Sequence, residues 1–440
     1  MFKFLKRLWR DRRGNVLVIV GAALPMIVGA AGLATDTIQW TLWKRQLQRA
    51  ADSAAIAGVY EREATAGATS TVDGTVDHDL TLNLHSFYGL TTGNAGCTAS
   101  GGRCVIAFPA DSGVQIDQVK VTIAIQQGLP FSSFFLSTPP TITATATAAS
   151  LPAGGDACIE ALDTTSATGV TFSGNAAIEM PDCDIFSNTS GTNSAIGRGS
   201  ASVNANSVGG VGGIQQSNNF TVTAYRPYSP ALADPFASVN PDPSQMNCTT
   251  SALTPTTDLG TLATGTNCFS SLSVGPNKSL HIPDSYSGPI YINGGSVDFK
   301  GDFSCSSCTI VLTNSSTSQT ATIGSLTTNA TANVNITAPT DGAYKGIAIM
   351  QDRRAATCTG NCDTINGNSG SVITGAVYFP NQEVWYNGTG TTTATCTMFV
   401  AKRVTFTGNS ATSNKFKSLA ACASAGFPQS STVRMVRLVG

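Results

Sequence analysis

The sequence predicts a mainly β protein carried on one N-terminal transmembrane helix. Three observations point there: a charge-free apolar run near the start, a helical pattern that continues past it, and a long remainder rich in Gly, Ser, Thr and Asn. The expected organisation is a basic cytoplasmic segment over 1–13 and a transmembrane helix over 14–35. A helix extended into a small α+β unit follows over 36–150, then a β-rich periplasmic domain over 151–440, expected to be a right-handed parallel β-helix.

Composition supports the third part. Only 12% of the 440 residues are charged, against roughly a quarter in ordinary soluble domains. Such a surface is wetted by hydroxyls and amides, as in secreted β-folds. A net charge of −1 gives no reason to expect nucleic acid as a partner.

The apolar run is Gly14–Thr35, GNVLVIVGAALPMIVGAAGLAT. At about 1.5 Å per residue it spans roughly 33 Å, the thickness of a bilayer core. Lys3, Lys6, Arg7, Arg10, Arg12 and Arg13 precede it, opposed only by Asp11, whereas Lys44, Arg45 and Arg49 follow at a distance. The positive-inside rule then keeps the N-terminus in the cytoplasm and sends the bulk outward. Trp9 on one flank, and Trp40 and Trp43 on the other, suit the two interfaces. Membrane helices tolerate a proline such as Pro25. The anchor is therefore expected to include Gly14, Val16, Pro25, Thr35, Trp40 and Trp43, with membrane lipid as a partner. The competing reading is a signal peptide cut near Gly29-Ala30-Ala31, but the apolar run is long for one and the helical pattern does not stop.

Beyond the run, Trp40, Trp43, Leu47, Ala50, Ala54 and Ala57 recur at three- and four-residue steps. Leu47, Ala50, Ala54, Ala57 and Gly58 form the expected packing face, small enough for another element to come close. One helix to about Glu63 is the economical reading. Val119, Val121, Ile123 and Ile125 alternate as on a strand.

Arg12-Arg13-Gly14-Asn15, the run with Pro25, Gly32-Leu33-Ala34-Thr35-Asp36 and Leu47 to Gly58 (LQRAADSAAIAG) together resemble TadG-like proteins of the tight-adherence (Flp) pilus assembly system. Val119–Ile125, Phe134-Phe135 and Thr141–Ala146 are similar to them too, and the resemblance implies strands beside the helix. It also implies a structural role in the inner membrane among other pilus-assembly or secretion proteins. Processed prepilins carry Glu five residues after the cleavage glycine; here Ile19 stands there, so an uncut anchor is expected. The Asp-x-Ser-x-Ser metal loop that some of these proteins carry is missing.

The twelve cysteines begin at Cys97 and fall as sequence neighbours: Cys97 and Cys104, Cys158 and Cys183, Cys248 and Cys268, Cys305 and Cys308, Cys358 and Cys362, Cys396 and Cys422. Placement wholly beyond the apolar run suits an oxidising compartment and disulfides, with the connectivity left open. Zinc is the rival reading, for Cys305 and Cys308 have ligand spacing, but no good second pair stands with them.

From Leu151 on, short apolar pieces end in corners such as Gly174-Asn175, Asn293-Gly294, Gly367-Asn368, Asn387-Gly388 and Gly408-Asn409. Gly346, Gly367, Gly388 and Gly408 are spaced by 20 or 21, a period that suggests solenoid rungs. An antiparallel sandwich is the alternative. The Pro-rich stretch Tyr225 to Pro243 reads as an excursion or linker.

No phosphate loop or nucleophile elbow occurs, and His78, His85 and His281 are the only histidines. His78 and His85 read as a partly exposed helix face. Gln351-Asp352-Arg353-Arg354, the densest charge cluster of the second half, reads as a rung cap held by ion pairs, with uronic acid binding as the alternative. Asp298, Asp302, Asp341 and Asp363 are scattered singly and read as lying next to turns, where Asp satisfies local backbone amides. No enzyme, cofactor or metal is expected. The alternative function is an envelope-anchored β-helix binding module, adhesin-like or polysaccharide-recognising.

Overall fold

The computed structural model describes residues 15–84, 104–126, 128–368, 370–387, 395–408, 414–418, 420–427 and 432–439. Gly14, His85, Cys97, Gly388, Asn409, Trp9 and the basic residues before the apolar run lie outside them, as does the side chain of Val16. The molecule is mainly β, with an apolar N-terminal helix, and divides into two units: 1–151 with 436–440, and 152–435.

The first unit is one helix laid on a sheet. The helix runs from Asn15 to Ala64 without a break, Pro25 included. Strands Cys104–Ala107, Ile116–Gln126 and the start of Thr141–Ala161 pair antiparallel, with Ile106 opposite Val121 and Val121 opposite Ala146. Alternation puts Val119, Val121, Ile123, Ile125, Ile142, Ala144, Ala146 and Ala148 in one buried cluster with the outer half of the helix. A short helix, Val72–Leu84, adds Val76 and Leu80 to the cluster. Near the far end of the long helix, Arg62 pairs with Asp117 at 3.2 Å and donates to the Gln118 carbonyl at 3.0 Å. One expected strand fails: Phe134-Phe135 lies at a 3₁₀ turn, Ser132–Phe134, because the chain there must reverse between two antiparallel strands.

In the second unit every strand pairing is parallel among the described residues. Gly288–Asn293 pairs with Cys308–Thr313, Val297–Phe299 with Leu326–Thr328, and Asp302–Cys305 with Val334–Thr337. In these three pairs each strand meets the third strand after it, whereas Val372–Tyr386 pairs with the next strand, Thr397–Phe406; parallel pairing of this kind is compatible with the expected solenoid. Tyr291 and Val311 are ladder partners 20 residues apart, but Val311 and Met350 are 39 apart. The rungs therefore do not keep a fixed period of 20, because loops inserted at the corners vary in length.

Rung order differs from chain order. A single ladder runs Cys248, Cys268, Tyr291, Val311, Met350, Tyr378, Val400, Glu160, Phe186, Gly209, Arg226. The first rung of the unit, at Glu160, therefore stacks on one of the last, at Val400. After Arg226 the chain must return to the opposite end, roughly 48 Å at about 4.8 Å per step. The Pro-rich stretch makes that return. Prolines cannot donate to a ladder and hold the chain extended, at about 3.1 Å per residue, so the segment is long enough.

The returning segment is fastened as it goes. The Asn188 amide bonds both the N–H and the carbonyl of Leu232 at 2.9 Å. Asp234 accepts from Tyr378 at 2.7 Å and from Arg353 at 2.9 Å, and Phe236 packs on Tyr378 with ring centroids 5.1 Å apart.

Inside the unit a second column carries Val274, Phe299, Thr328, Ile365, Tyr386, Phe406, Phe172 and Gly197. Just after its last members, Gly408, Gly174 and Gly199 form stacked corners. A β-carbon at Gly174 would stand 3.1 Å from the Gly408 carbonyl oxygen, and one at Gly199 would stand 3.1 Å from that of Gly174. All three have positive φ, which glycine adopts without penalty. Gly346 does not share this corner; it opens the strand Ile347–Gln351.

Candidate functional site

The long helix Asn15–Ala64 divides into two environments. From Ile19 to Ile38 large apolar side chains stand bare, among them Leu24, Met26, Ile27, Val28 and Leu33. This part is long and apolar enough to cross a membrane. Pro25 and Thr35 are exposed on it, and the Thr35 hydroxyl returns a hydrogen bond to the Ala31 carbonyl at 2.9 Å. Trp40 is exposed, while Trp43 packs against the edge of the first unit's core. Below Trp43 the pattern inverts, and Leu47, Ala50, Ala51, Ala54, Ala55, Gly58 and Val59 are buried.

Those positions step alternately by three and one, the seam of a helix lying on a sheet. Ala57 is only half-buried and does not belong to that seam. Its place is taken by Ala51, Ala55 and Val59, which extended periodicity counted from Leu47 would have found. Small residues matter because the sheet lies close: a β-carbon at Gly58 would stand 2.8 Å from Val119 Cγ1 and 3.2 Å from methyl groups of Val72 and Val76. Gly58→Leu is therefore expected to destabilise the first unit by about 1–3 kcal/mol through overpacking. Thermal unfolding of the full chain in detergent, followed by circular dichroism, checks this; an unchanged midpoint would mean that the gap is not needed.

Polar side chains lock the helix to the sheet. Gln48 donates to the Thr145 carbonyl at 2.9 Å, and Lys44 to that of Thr143. Ser53 donates to Asp79 on the short helix at 3.0 Å. His78, also on that helix, is exposed.

In the second unit the cysteines pair with their neighbours. Cys158–Cys183 and Cys248–Cys268 join adjacent rungs, with Cα atoms 5.6 and 4.2 Å apart. Cys396–Cys422 ties the last 3₁₀ turn down at 5.6 Å, while Cys305–Cys308 and Cys358–Cys362 close short loops. Cys104 is buried in the first unit.

The charge cluster after Met350 is used internally. Asp352 pairs with Arg354 at 2.7 Å and accepts from Thr313 at 2.7 Å, and Arg354 also donates to the carbonyl of Asn314 at 3.0 Å. Burial alone would raise the Asp352 carboxyl, but the Arg354 and Thr313 hydrogen bonds hold it below its ordinary range. Asp298 pairs with Lys300 at 2.6 Å, and Asp302 accepts from Asn333 at 2.8 Å. Asp341 is exposed in a loop. Asp363 does not satisfy a local turn amide: it is buried in the strand Cys358–Ile365, where it accepts from the distant Leu326 amide at 2.7 Å.

Among the described residues, fold and site together define a protein with one candidate membrane-crossing helix, a helix-on-sheet unit and a disulfide-tied parallel β unit. Residues 14–66 match the family model described as "Putative Flp pilus-assembly TadE/G-like". This segment holds the bare apolar helix and its buried seam, so the resemblance read from the residues stands there and points to a role related to pilus assembly. Comparisons with curated proteins and with solved structures gave no match.

Proposed function

We propose that the chain is a non-catalytic structural component of tight-adherence (Flp) pilus assembly or secretion, held in the bacterial inner membrane with its β units in the periplasm. The observation that carries this is one unbroken helix with bare apolar side chains over a lipid-length run and a buried seam beyond it. Force applied to the outer units would pass along that helix to the anchor. The basic residues before the run favour a cytoplasmic N-terminus, and cysteines paired on the far side suit an oxidising compartment. Membrane lipid and other pilus proteins would be the partners.

Deleting residues 14–35 is expected to release the protein in soluble form and to abolish its contribution to piliation. Unchanged piliation without the anchor would overturn the mechanical role. A C-terminal tag reachable only from the cytosol would overturn the compartment.

A second reading, polysaccharide recognition, is favoured by a polar groove of about 310 Å³ lined by Ser279, His281, Asp302, Ser304, Asn333 and Asn335. Incubating the anchor-free protein with plant and bacterial polysaccharides tests it. Binding together with intact piliation after gene deletion would favour this reading over the first.

A further inference from the structure

Outside the long helix, three large apolar side chains in a row are exposed: Phe134 (84%), Phe135 (74%) and Leu136 (51%). They lie in residues 128–140, GLPFSSFFLSTPP, which hold no charge and join two strands of the first unit. Scattered exposed apolar residues are ordinary, but a contiguous patch marks a contact surface.

The loop is pinned at a defined level of the long helix. Asp36, the residue directly after the charge-free run, is buried and accepts the amide of Phe131 at 2.8 Å, the amide of Ser132 at 2.6 Å and the Ser132 hydroxyl. One turn earlier, the ring of Phe131 occupies the place where a β-carbon at Gly32 would stand. The tip is therefore held beside the last turn of the apolar run. Its backbone is also prepared for an apolar medium. Successive amides are bonded within the loop: Ser133 to Leu129 at 3.1 Å, Phe134 to Phe131 at 3.1 Å, Phe135 to Ser132 at 3.0 Å and Leu136 to Ser132 at 2.8 Å. Unpaired amides are what make irregular chain costly in lipid, and these four are satisfied.

We propose that Phe134, Phe135 and Leu136 insert into the lipid interface around the C-terminal end of the span, as a second membrane contact of the first unit. The occupant is the bilayer itself, because the patch continues the bare apolar surface of the helix at the same level. A lone helix can rotate about its axis; a second contact fixes which way its packing unit faces. The inference rests on the reading of 14–35 as a membrane span.

Photo-crosslinking tests both separately. The full chain is reconstituted in phosphatidylethanolamine–phosphatidylglycerol vesicles with p-benzoylphenylalanine in place of Phe135, Met26 or Val114, and lipid adducts are read by mass spectrometry. Met26 is exposed in the span, and Val114 lies in the turn next to Asp117, which pairs with Arg62 about 39 Å farther along the helix than Asp36. Lipid adducts from Met26 and Phe135, with Phe135 roughly tenfold above Val114, are the expected result. Adducts from Met26 with Phe135 no higher than Val114 would overturn the proposal and leave the span intact. A Phe135 crosslink to a second copy of the chain in place of lipid would also overturn it. No adduct from Met26 would overturn the span reading and the proposal with it.

Discussion

Phe172→Ala is expected to lower the stability of the β-rich unit by about 3–5 kcal/mol, the range for removing a buried ring from a core. Phe172 is fully buried, stacked on Phe406 with centroids 5.3 Å apart and 12° between planes, and meets the edge of Phe220 at 5.9 Å. Its ladder neighbour on the other side is Gly197, which has no side chain to move into the hole. More depends on the position than on the ring. Phe172 and Phe406 pair across the seam where an early rung stacks on a late one. In stacked-rung proteins each rung is stabilised by its neighbours, so the loss should concentrate at the seam. Hydrogen exchange of the full chain in detergent should speed up across 152–226 and 397–408 and change little across 268–313. Uniform acceleration would show that the seam is not a separate point of weakness. Removing the strand Thr397–Phe406 should have a larger effect still, because Val384 and Val170 then lose the neighbour they share, Val404.

Glu160→Gln is expected to stabilise the protein at pH 7.5 and to leave it unchanged at pH 4. Glu160 is fully buried between its ladder neighbours Val400 and Phe186, and neither carboxylate oxygen has a hydrogen-bond partner among the described residues. Burial, with the negative charge of Asp234 adding to it, pushes the carboxyl well above its ordinary value of 4.5. The folded chain therefore keeps a proton that the unfolded chain releases above that pH. Across that window stability falls by about 1.4 kcal/mol per pH unit, until the buried group itself ionises. Gln keeps the shape and removes the proton. Asp363, pushed up to about 7 by burial, gives a second slope of the same sign that ends near that pH. Asp163 behaves oppositely: burial alone would raise it, but hydrogen bonds from Thr165 and Arg403 lower it, so its contribution is lost only as pH falls below about 3.8. Denaturation of both proteins from pH 4 to 8 checks the expectation, and parallel curves would refute it.

Some of this was legible in the residues and some was not. The charge-free run and the Ala-rich continuation read as one helix because both are local, periodic patterns. Strand alternation at Val119–Ile125 was visible for the same reason. The corners at Gly174 and Gly408 were found as turns, and the structure stacks them on one another. Ala57 was assigned to the packing face by step counting, yet the buried seam runs through Leu47, Ala51, Ala55 and Val59 beside Ala50, Ala54 and Gly58, which leaves Ala57 at its edge. Phe134-Phe135 was expected as strand only because the family resemblance implied it; the antiparallel reversal around them makes a turn. Asp36 was read as part of a familial stretch, although its spacing of four from Gly32 put both on one helix face. Glu160 gave no signal at all, since its burial depends on rungs distant in sequence.

The sequence by itself determined what neighbouring residues decide: a bilayer-length apolar run, the helix that leaves it and the β character, while the cysteine pairings of the second unit came from the structure. Tertiary structure alone decided the order of the rungs, with Glu160 stacked on Val400 and a proline-rich return along the ladder, and it alone placed an apolar loop beside the end of the run. Hydropathy and period are one-dimensional and can be read along the chain. Which rung lies on which is settled by contacts between residues hundreds of positions apart, where many parallel strands of similar composition would pair equally well.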